Sequence, residues 1–201
     1  MADIFISEPL SGFSLSNNSF SESKGGAVLI RGGSYSLTKN SFYSSDTAGD
    51  SSLQSESITG LALAANLFSN CFVARVVLFS SNSFPPSSPG LVSGNVITNI
   101  TGTSNGIGLH LENSPNLLIQ NNQFNNISFP SFGGREEGAG VYIDEPSTGV
   151  TLEANSFSHC SASIGGAISF KNGFVTFNNN LYSSNEANLY GTNLAAFPVS
   201  L

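Results

Sequence analysis

Apolar and polar residues along this chain follow a phrase that keeps returning. Aligned on the Asn of segments such as Asn-Ser-Phe, the sequence gives seven copies, at Asn18, Asn40, Asn66, Asn95, Asn122, Asn155 and Asn180. Their spacings are 22, 26, 29, 27, 33 and 25 residues. Three positions before each Asn stand Leu15, Leu37, Leu63, Val92, Ile119, Leu152 and Phe177. Five before it stand Phe13, Tyr35, Leu61, Leu117, Val150 and Val175, with Gly90 the exception in the fourth copy. Two after it stand Phe20, Phe42, Phe68, Ile97, Phe124, Phe157 and Tyr182. These columns are apolar in 20 of 21 places in a chain that is 39% hydrophobic, so the repeat is built in rather than accidental.

The alternation before each Asn has the two-residue period of a half-buried strand. A second short strand, led by small residues, follows in GGAVLI (25–30), ARVVLF (74–79), GIGLHL (106–111), GAGVYI (138–143) and GGAISF (165–170), with GDSSL (49–53) a weaker copy. IFI at 4–6 reads as the second strand of a preceding coil. One such repeat cannot bury its apolar face, whereas stacked copies can, with strands about 4.8 Å apart. The expected fold is all-β: a right-handed parallel β-helix of about seven coils, one domain over 1–201 and a piece of a longer protein. The Asn column is predicted to form a buried hydrogen-bond ladder and the Phe20–Tyr182 column an internal, mostly aromatic stack. A leucine-rich repeat also uses Φ-x-Φ-x-x-N, but it needs Leu eight residues before the Asn. Five of the seven positions there, Leu10, Gly32, Ile58, Ser87, Ser114, Ser147 and Asn172, fail that requirement.

Composition narrows function by exclusion. Six basic against thirteen acidic residues, a formal charge of −7, argue against nucleic acid and anionic membrane surfaces. No window has the length of a membrane-spanning helix. MADIFISEPL lacks the basic and apolar segments of a signal peptide, which says little about location for an excised piece.

The pairing of G-G-A-[ILV] with F-x-x-N is carried here by GGAV (25–28), GGAI (165–168) and FNNN (177–180). It resembles the repeats of the chlamydial polymorphic outer-membrane proteins, which also occur in large protist surface proteins. The tail NEANLYGTNLAAFP is similar to the segment that often closes such regions. The resemblance implies a right-handed β-helix at the cell surface or secreted, with an adhesin-like role.

Candidate chemistry is sparse. Polysaccharide lyases need clustered carboxylates for a cation with a basic residue beside them, and hydrolases need paired carboxylates. The basic residues Lys24, Arg31, Lys39, Arg75, Arg135 and Lys171 do not sit in a repeated column beside two acids. The densest polar segment, Arg135 to Glu145, holds Glu136, Glu137, Asp144 and Glu145, a calcium set on paper but more simply solvated loop charges. His110 and His159 stand in different repeats and read as surface or turn residues, so no metal, cofactor or catalytic residue is assigned. Two insertions, 80–90 and 128–137, break the repeat. The second offers a candidate partner-binding loop of Phe129, Phe132, Arg135, Glu136 and Glu137, whose aromatics either stack on a protein or glycan partner or fold back on the coil. Asn17, Asn99 and Asn126 head glycosylation sequons. Two further readings compete with a non-catalytic module: a carbohydrate-active or glycan-binding β-helix, and end-to-end self-association into filaments. Cys71 and Cys160 each follow their ladder Asn by five residues, in coils three and six. Three strand spacings, about 14 Å, keep them beyond the roughly 7 Å that a disulfide requires, which predicts two shielded thiols.

Overall fold

Each coil is made of three short strands because the chain meets three corners, and each corner has its own chemistry. The computed structural model describes residues 4–6, 11–22, 27–43, 46–130, 135–144, 147–171 and 174–197. Strands before the ladder Asn, from Ser11–Ser16 to Val175–Asn178, pair in parallel as one face of seven strands, here face A. Strands after it, from Ser19–Ser21 to Leu181–Ser183, form face B. The glycine-led strands, from Ile4–Ile6 to Leu194–Phe197, form face C. Faces B and C belong to one hydrogen-bonded sheet, because strands such as Leu67–Ser80 run through the corner between them. The described residues contain no helix, and so none long and apolar enough to cross a membrane.

The register keeps like over like. On face A Leu15 pairs with Leu37, Leu37 with Leu63, Leu63 with Val92, and so on to Leu152 with Phe177. On face C Ile4, Val28, Leu53, Val77, Leu109, Val141, Ile168 and Leu194 are successive rungs. GDSSL is therefore a true rung. It looks weak because hydroxyls replace apolar residues there: Ser55 Oγ is held by Asn82 Nδ2 at 3.2 Å, while Ser52 Oγ is buried without a partner. On face B the ring pairs Phe20–Phe42, Phe42–Phe68 and Phe124–Phe157 lie 4.8, 4.6 and 4.7 Å apart, within 9° of parallel. The coil spacing imposes this near face-to-face stacking. Ile97 interrupts the rings, and Tyr182 closes the column 5.5 Å from Phe157.

Left-handed residues turn the corners. The residue before each ladder Asn (Asn17, Lys39, Ala65, Gly94, Asn121, Ala154, Asn179) has φ between 51° and 62°. At the entrance to face C the requirement is stricter. Gly138 and Gly165 have φ of +58° and +61°, and a Cβ on either would sit 2.3 Å from the carbonyl oxygen three residues on. That double constraint is why the second strand begins with glycine.

Cys71, Ile100, Ile127 and Cys160 follow one another in register on face B, three steps from one thiol to the other. Both cysteines are buried thiols, and burial pushes the Cys160 group up to about 12. Titration with a thiol reagent should therefore count no rapidly reacting group in the native protein and two after denaturation. A native disulfide found by mass mapping would contradict this register.

Candidate functional site

The Asn ladder is the most regular polar feature. Each ladder N–H donates to the Oδ1 of the next coil's Asn, at 2.9–3.0 Å, from Asn18 through Asn40, Asn66, Asn95, Asn122 and Asn155 to Asn180. Each Nδ2 from Asn40 onward donates to a carbonyl one coil back: Leu15, Leu37, Leu63, Val92, Ile119 and Leu152. Only an amide supplies an acceptor and two donors at this reach, so the column is Asn rather than Asp or Ser. A second, shorter ladder lies at the corner from face C to face A. There Ile58 N–H donates to Asn82 Oδ1 at 3.0 Å, Asn82 Nδ2 to Ser114 Oγ at 3.2 Å and Ser114 N–H to Ser147 Oγ at 2.9 Å. Ser114 and Ser147 sit at matching offsets in the sequence, but the insertion after Asn82 takes that residue out of alignment.

The densest titratable cluster lies on the outer side of face C, where His110, Tyr142 and Ser169 are consecutive rungs. His110 is a correction to its expected place at the surface: it is 6% exposed. The turn that carries Asn105 covers it. Arg75 Nε lies 2.9 Å from His110 Nδ1 and 3.3 Å from the Asn105 carbonyl, which is itself 2.9 Å from Nδ1. A guanidinium only donates and a carbonyl only accepts, so these two contacts at Nδ1 call for opposite tautomers of the ring. The Tyr142 ring meets the imidazole edge-on at 5.0 Å, and Lys171 Nζ lies 5.2 Å from the Tyr142 centroid. Glu137 is likewise not a solvated loop charge, being 7% exposed. Its carboxylate accepts from Ser169 Oγ at 3.2 Å and faces Lys171 Nζ at 3.7 Å, while its N–H donates to Asn105 Oδ1 at 2.9 Å. Glu136 accepts from Ser163 Oγ, and Arg135 is exposed.

The candidate binding loop is thus broken up. Phe129 is buried at 6% and belongs to the core. It continues the inward period of its strand, beside the positions of Val73, Gly102 and Ala162, so it is not a platform for a partner. Phe132 and Glu145 lie outside the described residues. The cluster acts as a clasp: turns from coils four and five are hydrogen-bonded to each other and tied to face C. His110, Tyr142 and Glu137 are too enclosed to meet a substrate.

Burial first, and then the Arg75 charge, pull His110 down to about 4, with Lys171 adding to this and the Asn105 carbonyl and Asp144 opposing it. The unfolded chain therefore takes up the proton first as the pH falls. The clasp's contribution is full above about pH 6.5, declines between there and about 4, and levels off below, a loss on the order of 3 kcal/mol for this one group. Denaturation midpoints for wild type and His110→Asn should converge across that window. Parallel curves would place the imidazole in contact with water.

The family model for a right-handed β-helix region matches residues 4–196. The chain belongs to that family. No curated protein and no solved structure matches it.

On this right-handed β-helix the three outer faces differ in chemistry. Face C carries a charged column, in which Arg31 meets Glu56 at 2.8 Å, followed by Ser80, Glu112, Asp144 and Lys171. Face A carries Ser14, Ser36, Ala62, Leu91, Leu118 and Thr151 outward, and the arch Pro85–Pro89 crosses it. Two shallow clefts of about 320 and 280 Å³ flank that arch, one against Ser36 and Ala62, the other against Leu118 and Thr151. Face B is free of Asp, Glu, Lys and Arg over 67–72, 96–101, 123–128 and 156–161, while Asp46 pairs with Phe72 and Glu186 with Ser161 at its two ends. Among the described residues no group of three or more His, Cys, Asp or Glu is arranged to hold a metal ion.

Proposed function

We propose that this right-handed β-helix is a non-catalytic module, surface-displayed or secreted, that serves as a rigid stalk with adhesin-like contacts. The observation that carries this reading is the clasp. The protein's densest set of acid, base and cation-binding side chains is spent on holding its own loops, with Tyr142 2% and His110 6% exposed. A general acid or base must reach its proton within hydrogen-bond distance, and these groups are walled off. The resemblance of the G-G-A-[ILV] and F-x-x-N repeats to chlamydial polymorphic outer-membrane proteins favours surface display.

The ladder supports a second reading, head-to-tail association of copies. It runs in one direction, N–H of one coil to Oδ1 of the next, which gives its two ends complementary chemistry. Light scattering across a concentration series separates this from a monomeric stalk.

Incubation with pectate and alginate, with and without calcium, is expected to leave chain lengths unchanged. Cleavage that disappears in Glu137→Gln or Asp144→Asn would replace this proposal with an enzyme.

A further inference from the structure

We infer that the clasp is an acid-released strap: protonation of His110 frees the turns at Asn105 and Glu137 and uncovers the outer side of face C while the coils stay folded. The lock lies at one atom. His110 Nδ1 has Arg75 Nε at 2.9 Å and the Asn105 carbonyl at 2.9 Å. A neutral ring satisfies one of these contacts and not the other. With the proton on Nε2, Nδ1 accepts from Arg75 and its lone pair faces the carbonyl oxygen. With the proton on Nδ1, the carbonyl is served and Arg75 points at a donor. An imidazolium also serves the carbonyl, but it then stands 2.9 Å from a guanidinium. The second proton is thus the change that the closed site cannot absorb. Opening absorbs it, because water reaches the imidazolium and Arg75 can turn toward Glu112, whose charge already attracts it.

The charged groups packed around the ring do not offset this. Glu112 comes from its own strand, and Arg75 from the preceding coil. Tyr142 and Asp144 stand on the next rung and Lys171 on the one after. The covering turns bring Glu137, which faces Lys171, and Glu136, which is turned to Ser163. Burial first, then Arg75 and Lys171, disfavour the proton, and they outweigh the Asn105 carbonyl and Asp144.

The two turns come away together because they grip each other. Gly106 N–H donates to the Glu137 carbonyl at 3.1 Å, and Glu137 N–H to Asn105 Oδ1 at 2.9 Å. They also lie directly on the column beneath. A Cβ on Gly106 would stand 2.8 Å from Tyr142 Cβ and 3.0 Å from His110 Cβ. Under this cover Tyr142 is 2% and Ser169 0% exposed. The same outward column continues in register through Leu78, Gln54 and Leu29, each half-buried, to the exposed Phe5. Released turns extend that partly apolar strip from Phe5 to Tyr142. The clasp therefore makes the length of one outer contact surface depend on acidity.

Amide hydrogen exchange on the whole chain tests this, with hydroxyl-radical labelling of Tyr142 as a second readout. Between about pH 7 and about pH 5, after correction for the intrinsic rate, exchange at Gly106 and Glu137 should rise about tenfold or more, since the open form binds the proton that the closed form resists. Labelling of Tyr142 should rise with it. The ladder amides of Asn95 and Asn122, bonded to the next coil's Asn at another corner, should keep their protection. In His110→Asn the side-chain amide can still accept from Arg75 but takes up no proton, so the acid effect should be lost. If that variant is loosened throughout, the wild-type imidazole decides the matter by nuclear magnetic resonance, and it should titrate well below its ordinary 6.5. The strap is overturned if Gly106 and Glu137 stay equally protected in acid, or if the ladder amides open in step with them, which is global unfolding. It is also overturned if the imidazole titrates near 6.5 with no change in exchange, or if the acid effect survives His110→Asn and disappears in Glu137→Gln, which assigns it to the carboxylate.

Discussion

Asn122→Leu should be among the most damaging single substitutions, costing on the order of 3 kcal/mol or more, since each buried group it orphans costs about 1–3. Asn122 Oδ1 accepts from Asn95 N–H at 3.0 Å and Asn95 Nδ2 at 2.9 Å, and its own Nδ2 donates to the Val92 carbonyl at 3.0 Å. Leucine fills similar space and removes these three bonds, together with those from Nδ2 to the Gln120 carbonyl and to Asn155 Oδ1, at a corner where Asn95 and Asn122 are each 1% exposed. No water reaches the groups left behind. Because neighbouring coils stabilise each other pairwise, the loss should also weaken coupling between the halves on either side. Guanidinium unfolding followed by two probes would show it as a lower midpoint with separated transitions. Asn125→Ala, on the exposed outer side of the same coil, should stay within about 0.5 kcal/mol. A loss for Asn122→Leu below about 1 kcal/mol would mean that the corner opens to solvent.

What could be read from the sequence was whatever recurs once per coil. Leu63, Asn66 and Phe68 stand at the same offsets as Leu152, Asn155 and Phe157, and the fold stacks both sets in the same columns. The thiol separation followed from the same counting. The clasp was not legible, because its members come from turns of unequal length. Arg75 and Asn105 stand 9 and 10 residues after their ladder Asn, and His110 and Glu137 both stand 15 after theirs yet occupy different places in the coil; what joins them is the packing of the turn at Asn105 against Glu137 and face C. Phe129 shows the same limit from the other side. The composition of its loop leaves the ring open between a partner and the coil, and the inward period of the strand, which continues through Phe129 before the loop departs, decides for the coil.

The one failure among the 21 apolar positions, Gly90, gives the other large effect. Phe84, from the insertion that precedes it, is 2% exposed and belongs to the core. A Cβ on Gly90 would lie 3.0 Å from the Phe84 ring and 2.8 Å from Leu117 Cδ2. The loop therefore supplies the side chain that this coil lacks, and glycine is needed to make room for it. The Phe84 carbonyl accepts from Asn116 Nδ2 at 2.7 Å, which pins the loop in place. Phe84→Ala should cost roughly 3–5 kcal/mol through the cavity it opens. Gly90→Leu alone should cost about 1–3 kcal/mol by overpacking the same space. Gly90 lies outside the left-handed region, so its backbone tolerates a side chain. The double variant restores the apolar pattern of the other six coils and should be more stable than Phe84→Ala, so that the coupling exceeds the roughly 1–3 kcal/mol that Gly90→Leu costs alone. Chemical denaturation of the four proteins in the cycle decides it. Strictly additive losses would mean that the Phe84 ring and the residue-90 side chain do not compete for one site.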